Sequence, residues 1–163
     1  MPGTPRYMPS VYVETTVVSF MAARPSRDVL VLGHQELTRQ WWKVCRQRCR
    51  AFVGPLVLRE AARGDADAAR GRLALLRDVP ILEEMPDITQ LTEAIRGVLS
   101  LPAKAAPDSV HLAFAVWYEM DYLVTWNCAH LANAQTMRAL ADYTRREGLW
   151  LPILCTPEEM PRD

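Results

Sequence analysis

Pro107-Asp108-Ser109-Val110-His111-Leu112-Ala113-Phe114-Ala115-Val116-Trp117 leads, four residues later, into Tyr122-Leu123-Val124-Thr125. Proline at the first helical position, an acid in the first turn and then apolar residues on nearly every side describe a buried helix. The run after it, β-branched and apolar without alternation, describes a short strand buried on both faces. A buried helix feeding such a strand is the repeating unit of a parallel sheet.

The same alternation extends in both directions. Towards the N-terminus, Ser10-Val11-Tyr12-Val13 reads as a strand ending in Glu14-Thr15-Thr16, and Pro25 to about Arg50 as a helix or helical pair with Leu30, Leu37, Trp41, Val44 and Cys45 at helical spacing. Ala51 to Gly54 reads as a second strand. Pro55 opens a helix that breaks at Gly64-Asp65 into another, from Ala66 to Arg77, and Val79 to Leu82 is a candidate third strand. Asp87 to Leu99 is helical, and 102–107 is a loop rich in breakers. Towards the C-terminus, 130–147 is helical and closed by Gly148, followed by a strand from Leu151 to Leu154 and a capped turn, Thr156-Pro157-Glu158-Glu159. The expected class is α/β: one domain over 10–160, with a mostly parallel central sheet of four to five strands covered by helices on both faces, behind a flexible lead-in over 1–9 that holds Pro2, Gly3, Pro5 and Pro9.

At 163 residues, half of them hydrophobic, the chain has the length of one domain with a full core. Nineteen basic and nineteen acidic side chains cancel, but residues 1–77 carry thirteen cations against six anions and residues 78–163 carry six against thirteen. No segment approaches the ~20 apolar residues of a membrane helix, and Met1 to Ser10 lacks the apolar run of a signal peptide, so a cytoplasmic protein without a membrane partner is expected. Cys45, Cys49, Cys128 and Cys155 show no CxxC pairing and are expected reduced.

Parallel sheets bind ligands beyond the carboxyl ends of their strands. That rule selects Glu14 after the first strand, Glu60 in the helix after the second, Asp108 at the start of its helix and Asn127 just past the strand ending at Thr125. Carboxylates gathered in one cleft repel unless a cation neutralises them, and Mg²⁺ or Mn²⁺, hard ions that prefer oxygen, suit the set. Such an ion polarises a phosphodiester and activates water near neutral pH. Each residue also has a plainer reading: a solvated strand end for Glu14, an exposed helical acid for Glu60, a dipole-favoured first-turn acid for Asp108.

These residues carry a resemblance. Val11-Tyr12-Val13-Glu14-Thr15-Thr16 resembles the opening strand of PIN-domain nucleases, and Val57-Leu58-Arg59-Glu60 their second acidic motif. Asp108-Ser109-Val110-His111-Leu112-Ala113 resembles their third motif, and Met120 to Asn127 the late strand with its fourth polar position. The similarity spans roughly 10–160 and is closest to the VapC-type toxins of toxin–antitoxin pairs. It implies a Rossmann-like PIN domain, a Mg²⁺- or Mn²⁺-dependent endoribonuclease acting on RNA, frequent homodimerisation and inhibition by a cognate antitoxin, with Glu14, Glu60 and Asp108 on the metal and Asn127 completing the catalytic shell. Two positions depart from the family pattern: the first acid is usually Asp, and the fourth position often is. A neutral Asn127 offers oxygen without charge, which points to a weaker or single metal site, or to a catalytically silent PIN-like module that binds RNA or a protein. Asp121, ahead of its strand, belongs to the opposite edge.

Further side chains are candidates for substrate binding or support. Thr15 adjoins Glu14, and His111 lies one turn after Asp108, where a buried hydrogen-bonded histidine is the plainer reading. Asn127, His130 and Asn133 recur every three residues and can line one side of the cleft, while Trp126 can stack a base or simply pack. Arg39, Lys43, Arg46 and Arg50, spaced four, three and four apart, fall on one helix face that can track RNA or receive an acidic antitoxin segment, with Trp42 beside them as a stacking surface.

Overall fold

The computed structural model describes residues 7–160. In chain order it contains β1 (Ser10–Val13), α1 (Thr15–Ala22), α2 (Val29–Arg48), β2 (Arg50–Phe52), α3 (Pro55–Ala61), α4 (Ala66–Leu75), α5 (Pro86–Leu99), a 3₁₀ turn (Ala103–Ala105), α6 (Ala106–Trp117), β3 (Tyr122–Val124), α7 (Ala134–Glu147) and β4 (Ile153–Cys155). The four strands form one parallel sheet in the order β2-β1-β3-β4, a small Rossmann-like α/β architecture. Val11, Tyr12 and Val13 have no exposed surface, so both faces of the central strand are covered. Helix α1 packs on α2, α3 and α4, and α5 packs on α6 and α7.

Starting from β1, the chain moves outward to β2 and then returns to β3 on the other side of β1. The strand order therefore reverses between β1 and β3, and the crevice beyond their carboxyl ends is where such sheets take ligands. The register pairs Val13 with Val124, and the Glu14 N–H continues the ladder to the Val124 carbonyl at 3.1 Å. Glu14 and the residues after Thr125 are thereby brought to one edge.

Several expectations shift. The segment after Glu14 is a helix, for which no element was expected: the Glu14 carboxylate caps it by accepting the Thr16 N–H at 3.1 Å. Helix α2 ends at Arg48 with Cys49 extended at φ −127°, so Arg50 lies in β2 and not on the helix face with Arg39, Lys43 and Arg46. Val79 to Leu82 contributes an isolated bridge, Val53 to Ile81, in place of a strand, since Pro80 has no N–H to give. Strand β4 begins two residues later than expected because Pro152 cannot donate to the ladder. The helix expected from 130 begins at Ala134, where the Asn133 side chain caps it by accepting the Thr136 N–H at 2.9 Å. Residues 1–6 of the expected lead-in lie outside the described residues; within its described part, Tyr7 donates its hydroxyl to Asp121 Oδ2 at 2.6 Å. All four cysteines are free thiols, and among the described residues no helix is long and apolar enough to cross a membrane.

Candidate metal centre

Beyond the carboxyl ends of β1 and β3 lies a cleft of about 550 Å³, lined by Glu14, Thr15 and Thr16 with Glu60, Asp108 and Asn127, and bordered by Phe20, Trp126, Arg63 and Lys104. Four elements supply its polar groups: the β1–α1 junction, α3, the first turn of α6 and the turn after β3. All four polar residues selected from the sequence reach this cleft.

Each carboxylate has one oxygen held by the protein. Glu14, 4% exposed, has Oε2 accepting from the Thr16 N–H, the Thr16 hydroxyl and the Thr125 hydroxyl, the last at 2.7 Å. Glu60 Oε2 accepts from the Thr15 hydroxyl and faces His111 Nε2 at 3.2 Å. Asp108 Oδ1 accepts from Asn127 Nδ2 at 3.0 Å. Among the described residues, Glu60 Oε1 and Asp108 Oδ2 have no hydrogen-bond partner, and Glu14 Oε1 meets only His111 Nε2, 3.9 Å away. Three oxygens fixed and three left over is the pattern expected of ligands oriented by an outer shell.

The closest grouping is Glu14, Glu60 and His111, whose candidate ligand atoms lie within 4.8 Å of one another, a buried cluster geometrically compatible with holding a divalent cation. Asp108 stands beside this trio, joined to the cleft through Asn127. Its carboxyl is pushed above the usual aspartate value chiefly by burial and also by the charge of Glu14, against the opposing effects of His111 and Asn127. For Glu60, burial acts upward, but the hydrogen bonds from His111 and Thr15 outweigh it and hold the group below its usual value. The two shifts run in opposite directions, and a cation in the cleft would favour the ionised form of both groups.

The remaining candidates fall elsewhere. Trp126 borders the cleft, yet its ring stacks on His34 at 4.1 Å between centroids and its Nε1 donates to the Thr38 hydroxyl at 2.7 Å, so one face is already covered. His130 and Asn133 line a separate depression beside Val98 and Pro102. Of the basic stripe, Arg39 donates to the Met21 and Ala23 carbonyls and pairs with Glu36, and Arg46 lies over Trp42. Trp42 is buried, which removes it as a stacking surface. Asp121 sits at the opposite edge, accepting from the Ser10 N–H at 2.7 Å.

Sequence reasoning missed Thr16 and Thr125, which fix Glu14, as well as Tyr12, Arg63 and Lys104. Two hydroxyls directly after an acid at a strand end are a usable signal for carboxylate support. A tyrosine inside a fully buried strand is another, since its hydroxyl needs a partner. Arg63 and Lys104 border the cleft only through tertiary packing. No family model matches the chain, and neither a curated protein nor a solved structure matches it.

Proposed function

We propose that the chain is a Mg²⁺- or Mn²⁺-dependent endoribonuclease of the PIN-domain kind, the toxin of a toxin–antitoxin pair, with Glu14, Glu60 and Asp108 holding the cation and Asn127 orienting Asp108. The observation that carries this reading is the set of half-tethered carboxylates at the strand-order reversal: each residue lines the cleft, and each has one oxygen restrained by a hydrogen bond from a neighbouring side chain. Oxygen donors of this kind suit hard cations. When bound, such a cation supplies Lewis-acid polarisation of a phosphodiester and lowers the pKa of water. The protein's own contribution is orientation: Thr16 and Thr125 fix Glu14, Thr15 fixes Glu60 and Asn127 fixes Asp108. Arg63 and Lys104 on the cleft border are the cations best placed to meet the flanking phosphates of a single strand. RNA as substrate, an antitoxin as inhibitor and a homodimer as the working state belong to the same reading through the sequence resemblance.

The test is hydrolysis of single-stranded RNA with and without Mg²⁺ or Mn²⁺, in wild type and in Glu60→Gln. Metal-dependent cleavage that EDTA stops and Glu60→Gln reduces by two orders of magnitude or so supports the reading. RNA binding without hydrolysis under any metal would favour a silent RNA-binding module.

A further inference from the structure

His111 belongs to the tightest group of potential ligands, yet an imidazole can serve a metal only through a nitrogen that carries no proton. We propose that the Tyr12 hydroxyl keeps the His111 proton on Nε2, so that the imidazole faces Glu60 and Glu14 as a hydrogen-bond donor and the cleft offers oxygen ligands only, favouring Mg²⁺ or Mn²⁺ over Zn²⁺. The inference rests on the metal-binding reading of the cleft and adds to it a residue that determines which metal is taken.

Both ends of the imidazole give the same assignment. At one end, Tyr12 Oη lies 2.9 Å from His111 Nδ1, and both residues are at most 1% exposed. A phenol carries its proton at neutral pH, so the hydroxyl is a donor in need of an acceptor. Among the described residues that proton has no acceptor other than Nδ1, and the Gly54 backbone N–H also faces the phenolic oxygen. If Nδ1 carried the proton, two donors would converge on Oη and the phenol O–H would be left without a partner in a dry interior. At the other end, Nε2 faces Glu60 Oε2 at 3.2 Å and Glu14 Oε1 at 3.9 Å. Carboxylate oxygens are acceptors, so an N–H is favourable there and a bare lone pair is repelled.

The phenolic oxygen packs against Gly54. A Cβ at Gly54 would stand 2.8 Å from it, so the packing at this point requires glycine. Recruiting Nε2 to a metal therefore means moving the proton to Nδ1 and stranding the Tyr12 O–H. Zn²⁺ gains most from imidazole nitrogen, whereas Mg²⁺ is satisfied by carboxylate oxygens and water. The penalty thus falls on Zn²⁺, and Tyr12→Phe lifts it.

The test combines long-range ¹H–¹⁵N correlation spectra of ¹⁵N-histidine protein, recorded without metal, with calorimetric titrations of Zn²⁺ and Mn²⁺ at one pH. The wild type is expected to show His111 protonated on Nε2 alone. In Tyr12→Phe the tautomers are expected to mix, Zn²⁺ to bind about tenfold tighter or more, and Mn²⁺ to change by no more than about twofold. A wild-type spectrum with the proton on Nδ1 overturns the assignment, and it does so even if Tyr12→Phe fails to fold. Unchanged Zn²⁺ affinity in a folded Tyr12→Phe overturns the selectivity role. Wild-type protein that shows the Nε2 tautomer but binds no Mn²⁺ overturns the metal reading of the cleft, and the selectivity with it, while leaving the hydrogen-bond assignment in place.

Discussion

Asn127 uses both ends of its amide within the protein: Nδ2 donates to Asp108 Oδ1 at 3.0 Å and Oδ1 accepts from the His130 N–H at 3.0 Å. From the sequence, Asn127→Asp simply restores a charge that the resembling family often has. The structure adds a cost, because the variant sets a second carboxylate against Asp108 where a donor stood. Without metal, Asn127→Asp is expected to lose roughly 1–3 kcal/mol of stability, and Mn²⁺ should raise its melting temperature by more than it raises that of the wild type. Equal losses with and without Mn²⁺ would place Asn127 outside the influence of any bound cation. At this scale Glu14 and Asp108 could be read from the sequence, because a position at a strand end or in a helix's first turn fixes the edge a residue occupies. The restraint of each acid could not, since the hydroxyl of Thr125 reaches Glu14 from just past the end of β3.

Helix α2 illustrates what spacing can and cannot establish. Its i, i+3 and i+4 arithmetic puts Arg39, Lys43 and Arg46 on related faces, but extending the count to Arg50 crosses the point where the chain turns extended at Cys49. Arg39 is occupied by the Met21 and Ala23 carbonyls, which no periodicity reveals. The cations bordering the cleft are Arg63 and Lys104. Replacing these two with Gln is expected to flatten the log–log salt dependence of single-stranded RNA binding by roughly 0.7 for each phosphate no longer neutralised. The same change at Lys43 and Arg46 should leave the slope unaltered, and the reverse pattern would return the RNA path to the helix. Boundaries were hardest to read where a local rule yielded to packing. Thr15 to Val18 are β-branched and indifferent helix formers, yet α1 forms because Glu14 caps it and Val17, Val18 and Met21 are buried against the core.

Across the whole molecule, the strand order turns the charge asymmetry of the sequence into a spatial one. The more basic half supplies β1, β2 and α1 to α4, the more acidic half supplies α5 to α7, β3 and β4, and the two meet between β1 and β3. The cleft occupies the carboxyl edge of that junction, and Asp121 fastens the amino edge by accepting from Tyr7, the Ser10 N–H and the Ser10 hydroxyl. Burial acts upward on Asp121, but these hydrogen bonds prevail and hold its carboxyl below the usual value. A group whose folded value is lowered stabilises the protein above its unfolded value and ceases to do so as pH falls through the folded one. Asp121→Asn is therefore expected to cost about 1 kcal/mol at neutral pH, a modest figure because the site is partly exposed. In urea denaturation the difference should disappear at pH values below the ordinary aspartate range. A cost that persists unchanged in acid would show that the Asp121 charge plays no part in joining β1 to β3.

The cleft itself is tested most directly by calorimetric titration of Mn²⁺ into wild type and Asp108→Asn over a range of pH. The wild type is expected to bind, and Asp108→Asn to bind about tenfold more weakly or worse. Wild-type affinity should decline on acidification sooner than an ordinary aspartate would dictate, since burial raises the Asp108 carboxyl. Identical heats and affinities in the two proteins, or no binding to either, would contradict a metal centre built from Glu14, Glu60 and Asp108.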